Sequence, residues 1–549
     1  MQKHSLGRGL CRSVIAAVAL LAVCSQSATG PQRAGSLGGL FPAPQPAAAA
    51  QPSLSQVAAV SALSQVPVLE AAVPPRRALD TSVPFRQLRT APEAGPVGTS
   101  FTLRGEGLSP GQEMELQWAT WQGSYAMKPS AETVAYESRQ FTDQRQVLGR
   151  VRADAQGAIS GSYVAPEDFG ELHEIFAVVD GEEVARGGFR IKLAASIEPA
   201  EGPVGTPVTV TVTGMAARLF SGATLALRYD NAYTGVLTAT TTRGTARAEF
   251  RAAGPVGQHV VIINAGSVPA YLNIAQSPYA FVYEHIPTQE DFRLPFRVIA
   301  DQGPPANSVA WPLPERVQPL PANAMRTTAS GAGSPHVQAS FAPAAGTVLS
   351  KPLLQVEGLE PNAPVDAFWM TARGNRVTAS GWSLADIPLG TVTADSGGRI
   401  SGAVEVPDDL GGWHALKLVQ NGQVVAEAPY FVERSLVSVS ATRLRAGESF
   451  TVKIKGVGWT ELDNGFAVTY DNAYAGYACG FNSNGDVTLE LVATGGPGTH
   501  LIDLYPMVYA GKDAKWWYWT PVLTYSRDFP ALSLGYRLSA FRLAIAIVD

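Results

Sequence analysis

Cysteine and histidine are scarce. Three cysteines in 549 residues cannot build a disulfide framework, and seven histidines leave little material for metal or triad chemistry. Charge is sparse too: charged residues make up 16% of the chain, and 41 Lys plus Arg against 46 Asp plus Glu give a net charge of −5. That balance excludes the basic footprint of a nucleic-acid-binding protein. No H-E-x-x-H and no phosphate-cradling glycine loop occurs. No cofactor or metal site is expected. Beyond the amino terminus, no apolar run approaches the roughly 20 residues of a membrane span. Glycine (54) and proline (40) are plentiful, alongside 46% hydrophobic residues. Such a chain can build cores, but with many turns and short strands rather than long helices.

Lys3, His4, Arg8 and Arg12 precede the apolar run Val14–Cys24, and the small polar stretch Ser25–Gly30 follows. A short apolar run behind positive charge reads as a secretory signal, here residues 1–24. The chain is therefore expected in the periplasm, at the cell surface or in the medium. Leu21-Ala22-Val23-Cys24 has the outline of a bacterial lipoprotein box, which makes Cys24 a candidate lipidation residue. Val23 departs from the small residue such a box wants, and the alternative is ordinary cleavage near Ala22-Val23-Cys24 or Ser25-Gln26-Ser27. Residues 25–87 are rich in Ala, Pro, Gln and Ser with no period of 2 or 3.6, and are expected to form a disordered tether. Residues 301–336, with Pro304-Pro305, Pro312, Pro314, Pro319 and Pro321, are expected to be a second such linker between two folded halves.

The halves are copies. Tyr229-Asp230-Asn231-Ala232-Tyr233 recurs as Tyr470-Asp471-Asn472-Ala473-Tyr474, an offset of 241 residues. The same offset carries Gly149 to Gly390, Ile159-Ser160-Gly161 to Ile400-Ser401-Gly402, His173 to His414 and His259 to His500. Upstream the first copy holds extra residues near Ala131–Asp143, and since insertions fall in loops, a loop is expected there. Gly95-Pro96-Val97-Gly98-Thr99 returns at Gly202-Pro203-Val204-Gly205-Thr206, so each copy is itself a pair. Four units are expected, at residues 88–194, 195–300, 337–433 and 434–549. Val208, Val210 and Val212 alternate with threonines, as Phe450, Val452 and Ile454 do with Thr451 and the lysines, which is the period of a half-buried strand. Asp180-Gly181 and Asn421-Gly422 stand between apolar runs and suit tight hairpin turns. The expected fold is all-β: four tandem β-sandwiches in two duplicated pairs, joined by disordered Pro/Ala-rich linkers.

The run from Pro199 through Gly202-Pro203-Val204-Gly205-Thr206 into Val208-Thr209-Val210, and the later Gly-x-His or Gly-x-x-His strand starts, resemble bacterial immunoglobulin-like repeats, most closely the IPT/TIG type. The resemblance covers nearly all of the chain from Leu88 onward. It implies an immunoglobulin-like sandwich and a secreted or surface setting, and it implies no single activity.

Trp118 and Trp369 each lie eleven residues after an equivalent glycine, Gly107 and Gly358, and read as buried core tryptophans. His173, His259, His414 and His500 sit at matched strand starts in different units and read as structural, bonding a loop carbonyl. The leading ligand candidates are Tyr229, Asp230, Asn231 and Tyr233 with their copies Tyr470, Asp471, Asn472 and Tyr474, because two rings, a carboxylate and an amide can hold a sugar ring or a cation. The competing reading of the block is a strand that ends in an Asp-Asn turn, its tyrosines packing the core. Trp516-Trp517-Tyr518-Trp519 is a dense aromatic run, and Trp517 and Trp519 complete the candidate set. Cys479 is expected to be a lone packed thiol, and Leu543–Val548 a last, core-filling strand. The functional expectation is a non-enzymatic envelope or extracellular protein that binds a surface protein or polysaccharide, or serves as a spacer. The second reading is a carbohydrate-binding array.

Overall fold

The computed structural model of the chain describes residues 72–73, 86–130, 132–217, 224–265, 292–319, 334, 336–374, 381–480, 483–508 and 520–549. All of these lie in one compact unit, Ala34–Asp549; the other, Met1–Arg33, is outside the described residues, and so are the expected signal peptide, Cys24 and Trp516–Trp519.

Alternation builds the sheets as expected. Pro207–Thr213 buries Val208, Val210 and Val212, and Ser449–Lys455 buries Phe450, Val452 and Ile454. Three times along the chain a separate three-stranded sheet accompanies a larger one. In the first stretch the matching trio, Arg86–Ala91, Ser100–Gly105 and Ile159–Val164, runs on through Arg86–Ala91 into the larger sheet, and these four stretches are the sandwiches, first to fourth in chain order. In the second sandwich Ala194–Glu198, Pro207–Thr213 and Ala246–Arg251 form the small sheet. Ala232–Thr238, Thr224–Tyr229, Gly257–Ala265 and Phe292–Val298 form the large one. The opening strand changes sheets: after pairing antiparallel in the small sheet, the chain pairs through Glu201–Gly202 in parallel with Phe292–Val298 of the large sheet. Arg86–Ala91 with Ala94–Gly95, Gln338–Ala342 with Ala345–Thr347, and Ser435–Val439 with Arg443–Arg445 do the same. The fold is all-β and immunoglobulin-like. Among the described residues no helix is long and apolar enough to cross a membrane.

The repeated Gly-Pro-Val-Gly-Thr segment is where the strand changes sheets, and it needs one residue at positive φ. Gly98, Gly205 and Gly447 hold φ of 84, 88 and 90°, and their amides donate to the carbonyls of Ala165, Ala252 and Ala493 at 2.8 Å. In the third sandwich the same amide bond, to Val406 at 2.9 Å, is made by Leu349, a leucine held at φ 63°. The hairpin expectations also stand: Asp180-Gly181 and Asn421-Gly422 all have positive φ, as a turn matching strand twist requires.

Four expectations need correction. The extra residues near Ala131–Asp143 are not a loop but the end of a long hairpin, Glu113–Pro129 paired with Val134–Arg152. Val134 and Tyr136 are buried at its far end, so apolar burial against the fourth sandwich stabilises what would otherwise be an exposed insertion. Residues 301–319 are ordered against the fourth sandwich. Ser308–Ala310 pairs with Ala540–Val548, Asp301 accepts bonds from the Thr499 amide and hydroxyl at 2.7 and 2.6 Å, and the Gln318 amide donates to Leu532 at 2.9 Å. Within the expected tether, Ala72–Val73 adds a short strand beside Val134–Arg152, and Arg86–Ala91 begins the first sandwich. Finally, the sandwiches do not hang as separate beads. The core of the second continues into residues of the first, third and fourth, among them Tyr136, Phe431, Tyr505, Leu523 and Tyr536.

Within each pair the joint rests on the same glycine contact. The Gly170 amide donates to Met215, and the Gly411 amide to Val457, both at 3.0 Å. A Cβ at Gly170 would lie 2.1 Å from the Gly214 carbonyl oxygen, and one at Gly411 1.8 Å from that of Gly456, so only glycine permits the approach. The carboxyl-terminal strand Ala540–Val548 is almost wholly buried, as its apolar run predicts.

Leu349 is exposed, so Leu349→Gly removes left-handed strain of about 1–2 kcal/mol while adding unfolded-state freedom worth about 0.5–1 kcal/mol. The variant is expected to be more stable by up to about 1.5 kcal/mol, read from the urea midpoint.

Candidate functional site

Trp118 and Trp369 are fully buried, each stacked on the matched histidine: ring centroids lie 4.6 Å apart for Trp118 and His173, and 5.0 Å for Trp369 and His414. Each indole N–H donates to a buried carboxylate, Asp168 at 2.8 Å and Asp409 at 3.1 Å. All four matched histidines use Nε2 in one way, lying 2.7–2.9 Å from the carbonyl oxygen four residues earlier: Phe169, Pro255, Leu410 and Gly496. Each closes the turn that precedes its strand.

The Tyr-Asp-Asn-Ala-Tyr blocks are hairpin corners. In the first, Tyr229 pairs with Ala232 across Asp230-Asn231; in the second, Tyr470 pairs with Ala473 across Asp471-Asn472. The Tyr229 hydroxyl donates to Ala253 and the Tyr470 hydroxyl to Thr494, both at 2.8 Å. Burial pushes both phenols above their ordinary range. Asp230 spends one carboxylate oxygen on the Val260 amide at 3.0 Å and the other on His259 Nδ1 at 2.9 Å. Asp471 does the same with the Leu501 amide at 2.8 Å and His500 Nδ1 at 2.6 Å. The aspartates thus tie the hairpin to the strand that starts at the histidine. For His500 the Asp471 bond raises the imidazole pKa; burial opposes it, and the Gly496 carbonyl and Asp301 add to the rise.

Beyond the aspartate the two blocks part. Asn231 is exposed, whereas Asn472 is buried and donates to the Arg251 carbonyl at 2.7 Å, crossing from the fourth sandwich to the second. Tyr233 and Tyr474 are half-buried and meet edge to face, with centroids 6.3 Å apart; the Tyr233 hydroxyl donates to Thr520 at 3.0 Å. Contact between equivalent residues places the halves across a local pseudo-two-fold, as in an isologous dimer.

Sequence reasoning missed the polar groups that lock this contact. Arg251, Asp503 and Arg542 are buried together between the second and fourth sandwiches. Asp503 lies 2.6 Å from Arg251 and 3.5 Å from Arg542. Arg251 also donates to Leu543 at 2.6 Å, and Arg542 to the Glu249 carbonyl at 3.3 Å. A readable signal existed: at the 241-residue offset Arg251 faces Val492 and Asp503 faces Ile262, so charge stands where the other copy is apolar. Asp528 was missed as well. It accepts from the amides of Thr240 and Thr241 at 2.8 and 2.9 Å, and from the Tyr125 hydroxyl at 2.9 Å, joining three sandwiches. Beside it, residues 521–523 lie along the edge strand Ala232–Thr238: the Val236 amide donates to Pro521, and the Leu523 amide to Val236, both at 2.9 Å.

Gly107-Leu108-Ser109-Pro110-Gly111 has the spelling of a nucleophile elbow, but it turns between the strands Ser100–Gly105 and Glu113–Pro129, not from a strand into a helix. Cys479 is half-buried, its thiol packed beside Gly465. Trp517 and Trp519 lie outside the described residues.

Two outcomes follow from these bonds. Because its folded pKa is raised above 6.5, the His500–Asp471 contact stabilises fully below that value and fades as pH rises through the raised one. In proton-resonance titrations Asp471→Asn is expected to lower the His500 pKa. In the charge cluster, Asp503→Asn leaves two buried guanidinium groups without their shared counter-ion and is expected to cost about 3–5 kcal/mol in urea unfolding. Arg251→Met, which leaves Asp503 with Arg542, should cost less.

No protein-family model matches the sequence, and no curated protein matches it. Among solved structures it is similar to Salmonella alpha-2-macroglobulin, with 8% identity, 83% of this chain and 30% of that chain covered, and a TM-score of 0.16. It is similar to an ICAM-5 D1–D4 ectodomain fragment, with 11% identity, 84% and 100% covered, and a TM-score of 0.16. It is similar to FdeC, an Escherichia coli adhesin, with 15% identity, 63% and 96% covered, and a TM-score of 0.15. The chain thus spans under a third of the macroglobulin. Superpositions this loose carry no argument, and the immunoglobulin-like fold rests on the chain's own sheets.

Proposed function

We propose that this chain is an exported, non-enzymatic protein of the cell envelope or its surroundings, a rigid assembly of immunoglobulin-like sandwiches of the IPT/TIG kind that binds a surface partner or holds one at a distance. The observation that carries this reading is where the chemically able side chains are spent. The two matched tryptophans and the four matched histidines, and the aspartates that serve them, are bonded to the fold itself. Positions that repeat because they hold a sandwich together support a scaffold. The amino-terminal charge and apolar run support export, by ordinary signal cleavage or, as the alternative, with Cys24 as a lipidated first residue.

The carbohydrate-binding reading needs open faces on Tyr233 and Tyr474, and these rings rest against each other. Fractionation of cells expressing the native gene is expected to place the protein in the envelope or medium, cleaved of its amino-terminal apolar segment, the cut falling before Cys24 where that residue carries a lipid and after it otherwise. Recovery from the cytosol with that segment intact overturns the proposal. On a glycan array the full chain is expected to show no retention. Retention that disappears in a Trp517→Ala, Trp519→Ala double variant would establish the carbohydrate reading instead.

A further inference from the structure

The two intra-pair joints share their glycine contacts but not their charges. In the first pair Asp168 is completely buried and accepts from Trp118 Nε1 at 2.8 Å, Thr120 Oγ1 at 2.7 Å and the Phe169 amide at 2.8 Å. Its guanidinium neighbour comes from the second sandwich: Arg243 Nη2 stands 3.4 Å away and also donates to Gln146 at 2.8 Å. His173 Nδ1 is 3.7 Å from the same carboxylate and 2.7 Å from the Ala119 carbonyl oxygen.

In the second pair the residue matched to Arg243 is Asn484, held in the same left-handed conformation, at φ 56° against 51°. Asn484 brings no charge to Asp409. The guanidinium comes instead from Arg373 of the third sandwich, 4.0 Å from Asp409, and Arg373 donates to Asn484 at 3.1 Å. Arg373 lies two residues beyond Thr371 on the strand that carries Trp369. In the first pair that position, two beyond Thr120 on the strand that carries Trp118, is the exposed Gln122.

We infer that the buried aspartate is the clamp of each joint and that its counter-charge has changed sides between the copies, from the second sandwich at Arg243 to the third sandwich at Arg373. A carboxylate this deeply buried requires a nearby cation, but either side of the joint can supply it. The first joint is then held by charge across the two sandwiches. The second carries the cation of Asp409 within one sandwich: charge still crosses that joint at its rim, where Lys455 meets Asp408 at 2.7 Å, but Asp409 itself reaches the fourth sandwich only through the guanidinium's hydrogen bond to the neutral Asn484 amide.

The test uses the full chain and hydrogen exchange at the Gly170 amide, which bonds across the first joint. Arg243→Asn is expected to speed that exchange by about tenfold or more. Adding Gln122→Arg should bring it back to within about threefold of the native rate. In the second pair, Arg373→Gln should speed exchange at Gly411, and adding Asn484→Arg should restore it. Unchanged exchange in Arg243→Asn overturns the clamp, and loss without rescue by Gln122→Arg overturns the exchange of sides. If Arg243→Asn does not fold, recovery of folding in the double variant supports the inference, and continued failure overturns it.

Discussion

A β-sandwich buries its inner faces by construction, but its ends and outer strand edges still need cover. Here each sandwich is covered by others. The long hairpin of the first reaches the fourth, where the Trp459 indole donates to the Glu132 carbonyl at 2.6 Å. The loop before the last strand of the fourth runs beside the edge strand of the second through Pro521 and Leu523. The apolar surfaces joined in this way form one continuous core around the second sandwich.

Burial at such joints is favourable only if the polar groups carried into them are paired. Asp168, Asp503 and Asp528 are each buried, and each collects donors from more than one sandwich. An arginine or hydroxyl in a dry joint has few alternative partners, so these contacts specify one arrangement more than they add net stability. The pseudo-two-fold between halves is therefore broken where it matters: Tyr233 meets its own copy, while Arg251 and Asp503 have apolar counterparts. A chain so locked presents a fixed outline, which is what a spacer or a surface-binding scaffold needs.

Much of the fold was legible, because strand alternation, positive-φ turn residues and a 241-residue repeat are local or self-referential signals. The core role of Trp118 and Trp369 and the carbonyl-bonding histidines followed from their repeated places. The long hairpin and the docked residues 301–319 were not legible. Proline and an insertion report only on the segment that holds them, and the surface that orders both belongs to a sandwich far away in sequence.

By itself, then, the sequence determined the all-β class, the duplication and the turn chemistry, since each depends on neighbours within a strand or on comparison of the chain with itself. Tertiary structure alone decided that the core of the second sandwich runs on into its neighbours, that Asn472 is buried while Asn231 is exposed, and which arginine faces each buried aspartate. The physical reason is that desolvation belongs to a place in the folded molecule and not to a residue type: the same Asp or Arg is a solvated surface group or half of a buried pair according to what packs over it.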